Sequence, residues 1–164
     1  MQYIDIIKSK IINKNSIKPL IAQWNFKGQK IVFTNGCFDI IHQGHIDYLS
    51  KAKDLGDILI IGLNSDSSIS RIKGDSRPII DEQSRAILLA ALNFTDAIIL
   101  FDEDTPYNLI NALQPDILVK GADYKPEDIV GADIVLANGG SIETIEFLEG
   151  FSTSKIIKKI KEKG

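Results

Sequence analysis

The stretch "KIVFTNGCFDIIHQGHIDYLSKAKDLGDILIIGL", residues 30–63, decides the fold. It opens on a short β-branched run, "KIVFT" at 30–34, and closes on another, "DILIIGL" at 57–63. Runs that are apolar at nearly every position, rather than at alternate ones, are strands covered on both faces. Between them "HIDYLSKAKDLG" puts Ile46, Leu49 and Ala52 at helical spacing and reaches Gly56, a suitable residue to end a helix. Two buried strands joined by a helix form a right-handed crossover, so they lie parallel in one sheet.

Outward from this unit the pattern repeats. "DAIILF" at 96–101 and "DILVKG" at 116–121 are two more buried strands. "DEQSRAILLAAL" and "TPYNLINAL" read as helices, with Asp81 and Thr105 as N-caps and Pro106 at the first helical position. "DIVLA" and "SIETIEF" flank the turn "NGG" and are expected to add a strand pair or a sheet edge. The expected class is α/β: a Rossmann-like, doubly wound, mainly parallel sheet in a single domain covering 29–164. Residues 1–28 form a short helical N-terminal extension, with "SIKPLIAQWNFKG" carrying Trp24 and Phe26 into the domain. At the other end "STSKIIKKIKEKG" is a helix with Ile156, Ile157 and Ile160 on one stripe and a solvated last turn.

A chain of 164 residues fits one ordinary domain and buries about two thirds of the surface its unfolded form exposes. Its formal net charge of -3 provides no basic field for nucleic acid. The single cysteine, Cys37, excludes an internal disulfide framework. The start "MQYIDIIKSKIINKNS" alternates charge with isoleucine, and no apolar run approaches the ~20 residues of a spanning helix. A cytoplasmic location without membrane or nucleic-acid partners is the expectation.

Both histidines of the chain, His42 and His45, follow the first strand and its glycine. In an open α/β sheet, ligands bind beyond the carboxyl ends of the strands. Gly36 permits a tight turn there, and a helix starting near His42 to His45 presents free N–H groups and a positive dipole end, which makes an anion site. Two histidines three apart share one helix face and can donate to the same phosphoryl oxygens. Two other readings compete: ordinary capping and packing, and a zinc site of Cys37, Asp39, His42 and His45. Structural zinc draws ligands from two separated clusters, and no further Cys or His exists, so no protein-held metal is expected.

Other residues fit the same chemistry singly. Ser152 and Thr153 precede an apolar helical repeat and serve as a plain N-cap or as a phosphate cradle. Lys73, Arg77 and Lys120 fall in the loops after the second and fourth strands, where cations bracket phosphates, although a lysine's commoner fate is a solvated face. Lys120 is the strongest of the three, sitting between "DILV" and a glycine at a strand end. Asp123 either accepts sugar hydroxyls or caps its turn, and Asp66 either approaches a nucleotide ribose or forms a turn. Arg85 reads as a tie between its helix and its surroundings.

"HQGH", set in "TNGCFDIIHQGH", resembles the H-x-G-H signature of the nucleotidyltransferase superfamily that performs cytidylyl and adenylyl transfers. "GLNSD", "KGDSRP", "VKGADYKPEDI", "ANGG" and "STSKIIKKI" are similar to segments of the bacterial heptose-phosphate adenylyltransferases, which make ADP-heptose. The resemblance covers residues 29–162. It implies transfer of AMP from ATP to D-glycero-β-D-manno-heptose 1-phosphate, with His42, His45 and Lys73 as the catalytic charge stabilisers. It further implies nucleotide contacts from Gly36, Cys37, Phe38, Asp39 and Gly44 in the first loop, and from Asp66. Gly150, Ser152 and Thr153 would contact the nucleotide from the closing motif, while Arg77, Lys120 and Asp123 bind the sugar phosphate.

Magnesium would be held mainly by the nucleotide phosphates. The acceptor is already anionic, so no general base is required. Glycerol-phosphate cytidylyltransferases share "HQGH" but carry an arginine about five residues before the closing serine, where this chain has Phe147. Transfer of CMP to glycerol 3-phosphate or of AMP to FMN, and a nucleotide-sensing module without turnover, are the alternatives. A homodimer is implied by the family, and a separate kinase and phosphatase are expected to supply the substrate.

Overall fold

In the computed structural model, which describes residues 2–123 and 128–163, strand β1 (Ile31–Gly36) sits at the centre of a five-stranded sheet. Its neighbours are β2 (Ile58–Asn64) and β4 (Ile117–Gly121); β3 (Ala97–Phe101) lies outside β2 and β5 (Ser141–Ile145) outside β4. All pairings are parallel, and β1 meets β2 from Ile31 opposite Ile58 to Gly36 opposite Leu63. The α/β, Rossmann-like class follows. Strand order runs outward from β1 to β3, then returns to the far side of β1 with β4. That reversal opens a crevice between the carboxyl ends of β1 and β4, where such sheets bind ligands.

Side chains alternate along each strand, so both faces carry core. Ile31 and Phe33 pack with Ile58, Ile60, Ile99 and Leu118 on one face, where Leu109 and Leu113 of α6 (Tyr107–Leu113) cover them. Val32 packs with Leu59, Ile61, Ile98 and Val119 on the other, under Leu49 and Ala52 of α3 (Gln43–Lys53) and Leu89 of α5 (Glu82–Ala90). Each fully buried side chain of this size contributes about 1.5–3 kcal/mol.

Several local expectations change. "DIVLA" is a helix, α7 (Ala132–Ala137), and not a strand, because β5 runs parallel to β4 and a parallel neighbour requires a crossover instead of a hairpin. A helix missing from the sequence reading, α4 (Asp66–Lys73), follows β2; its start is capped by Ser65, which accepts from Ser68 N–H at 3.1 Å. Three serines in "DSSISRIK" give it weak helical propensity, so Lys73 read as a loop residue when it ends a helix. Asp81 caps α5, accepting from Ser84 N–H at 3.0 Å, as expected. Thr105 lies outside α6, whose N-cap is Pro106.

Helix α3 ends at Lys53, with Asp54 as C-cap, so Gly56 does not cap it. A Cβ at Gly56 would lie 2.7 Å from Val32 Cγ2 and 2.8 Å from the Lys30 carbonyl, so this glycine lets the chain pass close beside β1. In the first 28 residues, α1 (Tyr3–Ser9) and α2 (Lys18–Phe26) flank a segment that pairs with β3. Ile12 N–H donates to Ile98 O and Ile98 N–H to Lys10 O, both at 2.8 Å, which covers the sheet edge. Trp24 packs on the core beside Leu20 and Ile21, but Phe26 is 93% exposed. Two residues beyond Trp24 is about 200° around a helix, which turns Phe26 to solvent. The closing helix, α8 (Thr153–Lys163), has no fully buried residue, and Ile160 is exposed. Among the described residues no helix is long and apolar enough to cross a membrane.

Candidate active site

Between β1 and α3 the left-handed residue is Phe38 (φ 45), and Gly36 is required for another reason. The Phe38 ring folds back until a Cβ at Gly36 would meet it at 3.0 Å. That ring then meets His45 edge-on, with centroids 5.3 Å apart. His42 stands extended just before α3 and its side chain makes no capping bond; His45 follows one turn later. The spacing stacks their rings, with centroids 3.8 Å apart and planes 15° apart. Gly44 lies between them, and a Cβ there would lie 3.0 Å from Phe151 Cβ and 3.1 Å from His42 Nδ1. The glycine therefore lets the segment before α8 close over the pair.

Burial pushes the His45 imidazole down to about 4, with His42 and Lys73 adding to the effect. Burial also lowers His42, partly opposed by a backbone hydrogen bond. Both rings are therefore neutral at pH 7, and their Nδ1 atoms are buried with no hydrogen-bond partner among the described residues. Lys73, Arg77, Ser152 and the α8 residues Thr153 and Ser154 line one cavity with the two histidines. Ser152 Oγ caps α8 by accepting from Lys155 N–H at 3.2 Å, and the remaining first-turn N–H groups add a positive end to this cavity.

His45, Lys73, Arg77 and Thr153 also line a second, adjoining cavity over the crevice between β1 and β4. Lys120 Nζ, at the end of β4, donates there to Asn35 Oδ1 at the end of β1. Burial lowers the Lys120 ammonium to about 8, while the Asp123 carboxylate works against that shift. The Phe147 ring lies over Gly121, where a Cβ would come within 2.2 Å of Phe147 Cζ. The cavity continues to Asp104, Thr105 and Asp128.

The chain that carries this stacked H-x-G-H pair is similar to known proteins. Residues 33–159 match the model of the cytidylyltransferase-like family. The chain belongs to the cytidylyltransferase-like family. Its curated relatives include the Bifunctional protein HldE of Campylobacter jejuni subsp. doylei, 59% identical over 95% of this chain. The proteins of the same name from Citrifermentans bemidjiense and Wolinella succinogenes are 55% and 52% identical, each over 93% of the chain. The chain spans about a third of the length of these relatives, 32% of the first and 31% of the other two. The crystal structure of the lipopolysaccharide core biosynthesis protein from Thermoplasma volcanium GSS1 is 32% identical, with a TM-score of 0.59 over 74% of this chain and 98% of that one. The pantoate-beta-alanine ligase from Francisella tularensis shares the fold at 19% identity, with a TM-score of 0.57 over 93% of this chain and 77% of that one.

In this cytidylyltransferase-like chain, His42, Gly44, His45, Lys73, Arg77, Ser152 and Thr153 meet at one cavity, with Gly36, Cys37, Phe38, Asp39, Lys120 and Asp123 at the adjoining one. Two residues grouped with them by sequence lie apart. Asp66 lines neither cavity, and its carboxylate accepts from Arg85 at 2.7 Å and from Glu82 N–H at 3.1 Å, which favours the structural reading of this residue. Gly150 also lines neither; its φ of 89 makes it the left-handed turn ahead of α8. Tyr124 to Glu127, from the segment "VKGADYKPEDI", lie outside the described residues.

Asp39 borders the cavity, but its carboxylate is taken up by Arg77 Nε at 2.6 Å and by the N–H groups of Ile79 and Ile80. The zinc reading loses one of its four ligands in this way, and among the described residues no group of three or more His, Cys, Asp or Glu is placed to hold a metal. Sequence reasoning passed over Asn35 and Phe151. Asn35 was marked only by its place beside the strand-ending glycine, and nothing marked Phe151, whose partners are distant in sequence.

Proposed function

We propose that this chain transfers AMP from ATP to D-glycero-β-D-manno-heptose 1-phosphate, releasing pyrophosphate and forming ADP-heptose. The observation that carries this reading is the convergence of the stacked histidines, Lys73, Arg77 and the start of α8 on one cavity that opens onto Lys120 and Asp123. The first is built for a triphosphate and the second for a phosphorylated polyol. Similarity to the heptose-phosphate adenylyltransferases in "KGDSRP", "VKGADYKPEDI" and "STSKIIKKI" supplies the identities of the nucleotide and the sugar.

The acceptor's phosphate oxygen attacks the α-phosphorus in line, and the bond from that phosphorus to the oxygen bridging to the β-phosphate breaks, with its electrons leaving on pyrophosphate. His42, His45 and Lys73 stabilise charge on the non-bridging and departing oxygens, and each such preorganised donor is worth about 10²- to 10³-fold in rate. Ser152 and Thr153 hold the β- and γ-phosphates at the positive end of α8. Arg77, which lines both cavities, reaches the nucleotide phosphates as well as the acceptor phosphate, Lys120 holds the acceptor phosphate, and Asp123 accepts hydrogen bonds from the sugar hydroxyls. No proton need be removed from the nucleophile.

The lining of this cavity includes Lys73, Arg77, two imidazoles and three hydroxyls but, among the described residues, no carboxylate, which fits magnesium held by the nucleotide phosphates and water rather than by the protein. When bound, the ion would neutralise the triphosphate. The protein is read as a cytoplasmic homodimer, with Tyr3 (86% exposed) and Ile6 of α1 offering an apolar surface.

Pyrophosphate release with magnesium and heptose 1-phosphate, compared across ATP, CTP and GTP, tests the function. Release with ATP alone is expected. Release with CTP and glycerol 3-phosphate in its place, or the absence of release with every acceptor and nucleotide pair offered, overturns it.

A further inference from the structure

The segment from Arg77 to Ile80 brings a cation to the phosphate cavity but belongs to no helix or strand. A cation on an irregular segment binds well only if its backbone is already ordered, because ordering it on binding costs affinity. Here the segment is gripped from below. Asp39, whose side chain is 1% exposed, accepts from Arg77 Nε at 2.6 Å and from the N–H groups of Ile79 and Ile80 at 2.8 and 2.9 Å. Ser70 Oγ donates to the Arg77 carbonyl at 2.7 Å, and Arg85 Nε donates to the Ile80 carbonyl at 2.9 Å.

Arg85 is completely buried, and its terminal nitrogens donate to Cys37 O at 2.6 Å and Asp66 Oδ1 at 2.7 Å. Cys37 and Asp39 belong to the loop that leads to the histidines, whereas Asp66 and Ser70 belong to α4, which ends at Lys73. One buried set of bonds thus joins the supports of His42, His45 and Lys73 to the segment that carries Arg77.

We propose that Asp39, Ser70 and Arg85 are positioning residues that hold Arg77 as a preformed phosphate clamp. With Nε committed to Asp39, the guanidinium offers its two terminal nitrogens to a phosphate in a fixed fork. Asp39 therefore acts on the nucleotide through Arg77 and not by touching it. The inference rests on the phosphate-binding part of the proposed function and is independent of the acceptor.

The test is a set of affinities for inorganic pyrophosphate with magnesium, measured by calorimetry on the full chain. Arg77→Ala weakens binding about 10- to 100-fold, as loss of a charge-assisted bond does. Asp39→Asn and Ser70→Ala each weaken it several-fold, Ser70→Thr restores it, and in the Arg77→Ala background the first two changes have no further effect. Losses that multiply in the double variants overturn the proposal, as does an unchanged affinity in Arg77→Ala. Ser70 lines neither cavity, so Ser70→Ala keeps the test readable if Asp39→Asn does not fold. A chain that binds pyrophosphate in this pattern but does not turn over heptose 1-phosphate sinks the proposed reaction and leaves the clamp standing.

Discussion

The imidazole rings of His42 and His45 stack with their centroids 3.8 Å apart, so a proton on either ring raises the cost of a proton on the other. Burial is the larger cause and, together with His42 and Lys73, holds His45 at about 4. An unfolded histidine titrates near 6.5. Between those values the unfolded chain binds more protons than the folded one, so stability is complete above about 6.5 and is lost as the pH falls towards 4. Urea midpoints measured across that window are expected to decline, and His45→Gln should remove part of the decline. A pH profile identical to that of the parent chain would contradict the assignment.

Removing either histidine should cost turnover and not folding. For His42→Ala and His45→Ala, kcat is expected to fall about 10²- to 10³-fold each, with thermal melting close to that of the parent. The double variant should lose less than the product of the two, because both rings serve one phosphoryl group. Collapse of the fold in both single variants would restore the packing reading of the pair.

Lys120, lowered to about 8 by burial, loses its charge as the pH rises through that value. In the free protein this should appear as an alkaline fall in kcat/KM, since that ratio reports ionisations before substrate binds. Asp123 works to keep Lys120 charged, so Asp123→Asn should move the alkaline limb to lower pH, whereas Lys120→Met should abolish it. Initial rates from pH 6 to 10 at low heptose 1-phosphate would decide this.

Gly121→Ala drives a methyl group into the Phe147 ring, which would otherwise lie within 2.2 Å, and towards Asp123 Oδ1 at 2.6 Å. Phe147 is half exposed and can swing away, so the expected stability cost is small, about 1 kcal/mol. The cavity beside Lys120 changes shape, and KM for the sugar phosphate should rise. Phe147→Ala in the same chain should recover part of that loss. No change in KM with Gly121→Ala would remove Phe147 from the acceptor site.

Local signals carried much of the fold and part of the site. "KIVFT", "DILIIGL", "DAIILF" and "DILVKG" were legible as strands because a strand covered on both faces must be apolar almost throughout, and "HQGH" was legible because a three-residue spacing fixes ring proximity within one helix. "DIVLA" misled for the converse reason. A short apolar run suits a helix or a strand equally, and only the parallel partner of β4 chose between them.

The grip on Arg77 was not legible. Asp39, Ser70, Arg77 and Arg85 are scattered over the chain: Asp39 and Arg77 read as separate ligand contacts, Arg85 as a tie between its helix and its surroundings, and nothing marked Ser70. Asp66 shows the same limit from the other side: its place after β2 suggested a ribose contact, but its carboxylate is directed to Arg85. The chain alone determined the first four strands with α3, α5 and α6 between them, the carboxyl-end location of the candidate site and the pairing of the two histidines, all of which follow from hydrophobic period and short-range geometry. The tertiary structure alone decided which polar side chains face the cavity and which are spent beneath it. A buried carboxylate or guanidinium must find its partners, and those partners come from segments that only folding brings together.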